Sequence, residues 1–408
     1  MHWTSAVSDA PSFTEAVDQV SEQVLVNLEG KRPDLALVFI SSHHAPSYFI
    51  APELLSERLG ARVLAGCSAA GVVGGGREVE RRPGVAVSAA SLPDTDLGTF
   101  VLKQDELPDA DAPPQAWHEL LGTGAGHVRA MMLLPDPFTV RTDGFLSGLD
   151  YAYPGVTKFG ALASGGDGPG SHALFLNGKV HRSGIVGLTF SGDVAVDCIV
   201  AQGCRPVGRP MVVTEADENI IRRLDGEPPL TVLQELFESS PPREQNLLRR
   251  SLQIGILYPH VDAGVDAGDF VVRNVLGASE GEGELAIGEL VREGQIVQFH
   301  VRDADLAGED LRALLEDYAE GAEQSPSSAL MFSCLGRGEQ MFGSADHDTA
   351  MFQDIVAPLP LAGFFSNGEI STAGGRALLH GYTTSFAVFR HRMAMRTHRG
   401  RDVHRGYV

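Results

Sequence analysis

Gly66-Cys67-Ser68-Ala69-Ala70-Gly71, Gly160-Ala161-Leu162-Ala163-Ser164-Gly165 and Gly363-Phe364-Phe365-Ser366-Asn367-Gly368 decide how this chain is read. Each is a pair of glycines bracketing four residues. Each follows an apolar run: LALVFI at 35–40, RAMMLL at 129–134 and SALMFS at 328–333. Short apolar runs of this kind suit strands buried on both faces. From Ala36 to Gly66 and from Ala130 to Gly160 is 30 positions, and from Ala329 to Gly363 is 34. That interval leaves room for the helical crossover that a parallel pair requires. A further apolar strand follows each bracket, GVAVSAA (84–90), GIVGLTF (184–190) and TTSFAVF (383–389). One unit, strand–helix–strand–glycine turn–strand, therefore occurs three times. Glycine at a strand exit permits positive φ and close backbone approach. The expected fold is mixed α/β: repeated strand–helix–strand–turn–strand units forming mixed sheets covered by helices, in two fused modules.

Outside the repeats, residues 9–30 have helical spacing through Val17, Val20, Val24, Leu25 and Leu28, with Ser12 or Thr14 as cap and Gly30 as stop. Residues 47–59 read as the crossover helix of the first unit. The Asp225-Gly226-Glu227-Pro228-Pro229 break reads as a module boundary, followed by a helix from about Thr231 to Phe237. Strands are expected at 253–259, 270–276 and 294–301, and an acidic amphipathic helix or helix pair in DADLAGEDLRALLEDYAEGAE. The organisation expected is an N-terminal helix (1–32), one module over 33–228, a second over 229–390 and a basic tail over 391–408.

The chain has 408 residues, of which 43% are hydrophobic, enough for sizeable cores. Its net charge of -21 repels phosphate backbones over most of the surface, so nucleic-acid binding is not expected. The exception is the stretch Arg390 to Arg405, with six arginines and one acid, which reads as a solvated, frayed terminus or a contact for an acidic partner. The four cysteines, Cys67, Cys198, Cys204 and Cys334, form neither a CxxC pair nor a zinc pattern, and suit a reducing cytosol. Cys198 and Cys204 are expected reduced. No basic segment followed by an apolar core opens the sequence, and no apolar stretch reaches membrane-spanning length. A cytoplasmic protein without membrane contact is expected.

Four stretches carry a family resemblance. Gly66-Cys67-Ser68-Ala69-Ala70-Gly71 looks like a GCS-x-x-G turn, and AQGCRPVGRPMVVTEADENIIRRLDGEPPLTVL (201–233) joins a Q-G-C-x-P-x-G turn to an L-D-G-x-P. FSCLGRG (332–338) and AGFFSNGEI (362–370) complete the set. Together they resemble the FIST family, an N-terminal FIST module followed by a FIST C module, over about residues 35–390. The resemblance implies a bacterial-type sensory, signal-transduction protein that binds a small molecule, with amino acids or related metabolites as ligands. No F-box-like region precedes these motifs.

Cys67 and Ser68 sit at a strand exit, where ligands of α/β sheets collect, so they read as a pocket rim or as small residues packed in a tight turn. A nucleophilic Cys67 paired with His43 or His44 is a sharper reading that also needs an oxyanion hole. Arg337, between Gly336 and Gly338, can present a planar fork to a carboxylate or phosphate, or pair with an acid such as Glu369. Cys334 beside it is expected to have a lowered thiol pKa. Ser366, Asn367 and Glu369 offer donors and acceptors to an amino group, or form a self-satisfied turn. Ser164 and Asp167 form the matching turn of the second unit, where Asp167 could reach a metal or a hydroxyl. No bracket carries the lysine of a P-loop. His260 and His300 read as structural. No complete catalytic set, metal site or cofactor is expected. The function expected is that of an intracellular sensor binding an amino acid or small carboxylate and signalling through a protein partner or through homo-oligomerisation. The alternatives are a cysteine-dependent enzyme using Cys67 or Cys334, and a ligand-free interaction scaffold.

Overall fold

The computed structural model describes residues 1–109, 112–257, 270–279, 281–322 and 324–392. His260 and the basic tail from 393 onward lie outside the described residues.

The first unit runs β1 (His2–Ser8), α1 (Phe13–Asn27), β2 (Leu35–Ser41), α2 (Ala51–Leu59), β3 (Val63–Ala69), β4 (Gly71–Gly74), β5 (Arg77–Val79) and β6 (Val85–Ser91). Ser12 caps α1, its hydroxyl accepting from the Glu15 N–H, and Ala16, Val17, Val20 and Val24 form the buried stripe. Gly60 ends α2 in the left-handed conformation. β2 and β3 are parallel across the α2 crossover, β6 is antiparallel to β2, and β1 is antiparallel to β6. The N-terminal segment thus contributes a sheet strand as well as the expected helix.

The second unit repeats this order in β7 (Thr95–Leu102), α3 (Pro114–Leu121), β8 (Val128–Pro135), α4 (Thr142–Ala152), β9 (Thr157–Ala161), β10 (Leu174–Leu176), β11 (Lys179–His181) and β12 (Ile185–Gly192). β8 and β9 are parallel, β12 is antiparallel to β8, and β7 is antiparallel to β12. The third unit opens with β13 (Ala195–Gln202). It is then interrupted by β14 (Cys204–Asp217), β15 (Ile220–Leu224), α5 (Pro229–Ser239), α6 (Pro242–Ser251), β16 (Leu252–Leu257), β17 (Phe270–Ala278), β18 (Leu285–Ile287) and β19 (Ile296–Arg302). It resumes with α7 (Ala304–Gly321), β20 (Ser328–Cys334), α8 (Glu339–Phe342), α9 (His347–Ile355), β21 (Leu361–Ser366), β22 (Glu369–Ala373), β23 (Arg376–His380) and β24 (Thr383–Arg390). β20 and β21 are parallel, β24 is antiparallel to β20, and β13 is antiparallel to β24.

The hairpins tie the units together. β10–β11 of the second unit pairs with β3 of the first, β22–β23 of the third with β9 of the second, and β4–β5 of the first with β21 of the third. Three six-stranded sheets result, each completed by a neighbour's hairpin. Their inner faces meet in one apolar core that includes Phe39, Phe159, Phe190, Phe332, Phe364 and Phe389. Their outer faces are covered by α1 and α2, by α3 and α4, and by α7 and α9. The fold is mixed α/β with several mixed sheets covered by helices, as the repeat implies.

The first glycine of each bracket has one job. A Cβ on Gly66, Gly160 or Gly363 would lie 1.8, 2.0 or 1.7 Å from the carbonyl oxygen of Val38, Leu133 or Met331, its partner across the parallel pair. Only a residue without a side chain lets the strands approach there. The second glycines are not equivalent: Gly165 has φ 86°, whereas Gly71 and Gly368 have no positive φ.

The inserted strands close into a barrel in the order β14-β15-β18-β17-β16-β19, filled by residues such as Met211, Val213, Ile254, Ile256, Val297 and Phe299. Two of its strands precede residue 228 and the rest follow it, so both parts of the sequence build it. The chain enters the barrel at Gly203 and leaves at Asp303. His300 is buried and its Nδ1 lies 3.0 Å from the Gln298 carbonyl oxygen, a structural role. All four cysteines are free thiols.

Candidate functional site

The three brackets converge on one another. Ser68 donates its hydroxyl to the Ser164 carbonyl oxygen at 3.1 Å and accepts from the Ala173 N–H. Ser164 donates to the Phe365 carbonyl oxygen at 2.5 Å and accepts from the Ala70 N–H at 3.0 Å. Ser68, Ser164 and Ser366 are all buried. At Ser68 and Ser164 the turns form a satisfied clasp, which does not present an open pocket rim.

Cys67 points into the common core with no exposed surface, and burial pushes its thiol well above the ordinary value. His44 packs edge-on against Phe13 with its Nε2 unpartnered, and no Cys67–histidine bond forms. This corrects the nucleophile reading: Cys67 faces the apolar side of its strand. Asp167 is exposed on the loop, with no hydrogen bond or ion pair, and no group of three His, Cys, Asp or Glu side chains among the described residues gathers to hold a metal.

Arg337 is fully buried and its fork closes on Asp348 of α9, with Nε–Oδ2 2.8 Å and Nη2–Oδ1 3.1 Å. Burial alone would raise the Asp348 carboxyl, but Arg337 and His347 (Nδ1–Oδ1 2.8 Å) hold it below its ordinary value. The acid expected from sequence, Glu369, instead accepts the hydroxyls of Ser366 at 2.7 Å and Thr383 at 2.8 Å, and burial raises its carboxyl to about 7. The expectation of a lowered Cys334 thiol is reversed. Burial, with Glu369 nearby, raises it and outweighs Arg302, whose Nη2 lies 3.6 Å from Sγ. Cys204 is pushed up to about 12, chiefly by burial.

Asn367 is exposed at the tip of the third bracket and lines a cleft of about 820 Å³ between the barrel and the three-sheet body. The barrel contributes Arg273, Asn274, Glu289 and Arg292, and the body contributes Ser147, His380 and Tyr382. Arg273 pairs with Glu289, and the Tyr382 hydroxyl donates to the Asn274 side chain. His380, at the end of β23, is buried with its Nε2 unpartnered. Burial, aided by the Arg273 charge, lowers its pKa to about 4, so a neutral imidazole faces this wall at physiological pH. A second cleft of about 780 Å³ lies between α6, α7 and α9. Its arginines are internally neutralised, Arg205 by Glu244 at 2.9 Å and Arg243 by Asp305 at 2.8 Å. The first cleft differs in carrying a neutral imidazole, His380, on one wall.

His380, Tyr382, Arg273 and Asp348 were not legible as site residues. The alternating segment between Gly368 and Gly381, which forms β22–β23, is the signal that points to His380.

The molecule is thus a two-module α/β protein in which three interlocked units surround one core and a barrel is inserted beside a polar cleft. It belongs to the FIST family: the FIST N domain matches residues 34–227 and the FIST C domain matches residues 229–372. Uncharacterized protein Rv0628c of Mycobacterium tuberculosis is 36% identical over 395 residues, covering 94% of this chain and 98% of that one. Uncharacterized protein Mb0898c of Mycobacterium bovis is 36% identical over 387 residues, covering 94% and 97%. Among solved structures, cyanuric acid hydrolase from A. caulinodans spans 96% of this chain and 100% of its own, at 10% identity and a TM-score of 0.33, a likeness too slight to bear on function. No helix among the described residues is long and apolar enough to cross a membrane.

Proposed function

We propose that this is a cytoplasmic sensory protein that binds a small molecule, an amino acid or small carboxylate, in the cleft between barrel and body. The observation that carries the reading is His380: a neutral imidazole with an unpartnered Nε2 in the wall of a cleft of about 820 Å³. A buried polar atom without a partner is costly, and a turn of the ring that brings Nε2 to the cleft surface lets a ligand atom supply one. Asn367 and Tyr382 add polar groups on the same wall, and Arg273, Asn274 and Arg292 face them from the barrel. The barrel joins the body through Gly203 and Asp303, so a ligand touching both walls favours one barrel orientation, and a signalling partner or second copy reads that orientation. The raised thiols of Cys67 and Cys334 weigh against the cysteine-enzyme alternative.

The test is a thermal-shift screen against amino acids and small carboxylates, on the wild type and on His380→Phe and Asn367→Ala. A ligand at 100 times its Kd stabilises the native state by about 2.7 kcal/mol. A saturable rise in Tm that His380→Phe abolishes supports the cleft. A panel in which nothing stabilises the wild type replaces the sensor with the scaffold, and a rise unchanged in both variants puts the ligand elsewhere.

A further inference from the structure

Arg302, the last residue of β19, stands where the chain leaves the barrel. Its guanidinium has no carboxylate within ion-pair distance among the described residues, and its one hydrogen bond is to Cys334 Sγ. Its Nε is buried without a partner. The group is held flat: its Cζ lies 5.1 Å from the Tyr382 ring centroid, and a Cβ on Gly336 would fall 2.0 Å from Nη1. Arg337 spends Nε and Nη2 on Asp348, while its buried Nη1, 3.3 Å from where a Cβ on Gly203 would lie, has no partner. Both arginines act electrostatically on Cys204. Tyr382 borders the large cleft, Cys204 borders a smaller one of about 330 Å³, and the Arg302 side chain is itself partly exposed.

Two guanidinium groups with unspent N–H donors and only one ion-paired carboxylate between them are a built receptor for a negative charge. Planar donors of this kind match the oxygens of a carboxylate or phosphate. We infer that Arg302, supported by Arg337 Nη1, binds one small oxyanion, carboxylate or phosphoryl, behind Tyr382. This deepens the cleft reading by naming where the ligand's anionic group docks.

The experiment is calorimetric titration of the full chain with inorganic phosphate and, separately, with acetate, at ionic strength held constant with sodium chloride. The expected result is saturable binding of at least one anion, weakened about tenfold or more in Arg302→Gln and unchanged in Arg250→Gln, an exposed arginine of α6 that lines neither cleft. Preference for phosphate or for acetate identifies the phosphoryl or the carboxylate source. Gly336→Ala is the second variant. Its methyl displaces a flexible side-chain end and leaves the charge in place, so it weakens binding without unfolding the chain. Wild-type binding of neither anion, or equal affinity in Arg302→Gln, overturns the inference. His380→Phe separates the two readings: it leaves phosphate or acetate binding intact while removing the larger cleft ligand.

Discussion

Glu369→Gln should make this protein more stable at neutral and alkaline pH and leave it nearly unchanged in acid. Glu369 opens β22, has no exposed surface and accepts hydroxyls from Ser366 and Thr383. Burial raises its carboxyl from 4.5 to about 7 in the fold, a difference worth about 3 kcal/mol. The sign follows from proton counts. Between those values the native state holds more protons than the unfolded chain, so stability is greatest at low pH and falls as pH rises through the folded value. From about pH 5.5 to about pH 8.5 this one group should remove about 2 kcal/mol. Gln is uncharged at every pH and keeps the site satisfied: its oxygen accepts one hydroxyl, and its amide donates to the other once that hydroxyl rotates. The assay is urea unfolding of wild type and variant across that range. The stability gap between them, variant minus wild type, should grow with pH by about 2 kcal/mol, because other titrating groups cancel in the difference. A gap that is flat with pH would refute the reasoning, since it would mean that Glu369 is already ionised or hydrated in the fold.

Gly66→Ala brings a Cβ to 1.8 Å from the Val38 carbonyl oxygen and should cost at least about 2 kcal/mol in urea melts. Gly124→Ala, with nothing within 4 Å, should stay within about 0.5 kcal/mol. Arg337→Met strands the Asp348 charge in the interior and should cost about 3–5 kcal/mol, most of it recovered in Arg337→Met/Asp348→Leu, as a double-mutant cycle will report. All four thiols have values raised by burial, so native-state alkylation followed by mass spectrometry should be slow at every cysteine and become fast in urea.

The repeat was legible because it rests on local chemistry. Apolar runs mark β2, β8 and β20, and one glycine per unit is demanded by a paired carbonyl oxygen. The hairpins β4–β5, β10–β11 and β22–β23 escaped notice because they are short and draw their stability from a neighbouring unit's sheet edge. Edge strands such as β7, with its mixed exposed and buried positions, gave no apolar run to find. The sequence reading put Asn367 in the third bracket, whose tip lines the cleft, and left Arg337 either an oxyanion or an acid as partner. It could not know that Asp348, eleven positions on and across a helix start, would take the Arg337 fork. Nor could spacing reveal whether Cys67 faces the core or the turn: one step along a strand reverses that.

The exchange of hairpins imposes an order on synthesis. β10–β11 can close on β3 soon after the second unit leaves the ribosome, but β4–β5 must wait for β21, roughly 290 residues later. At about 5–20 residues per second that wait is on the order of tens of seconds. Throughout it Val72 and Val73 lack the strand that will pair with them. The nascent chain therefore carries an unpaired apolar hairpin for most of its elongation, and only the last unit to emerge seals the ring that the first one began.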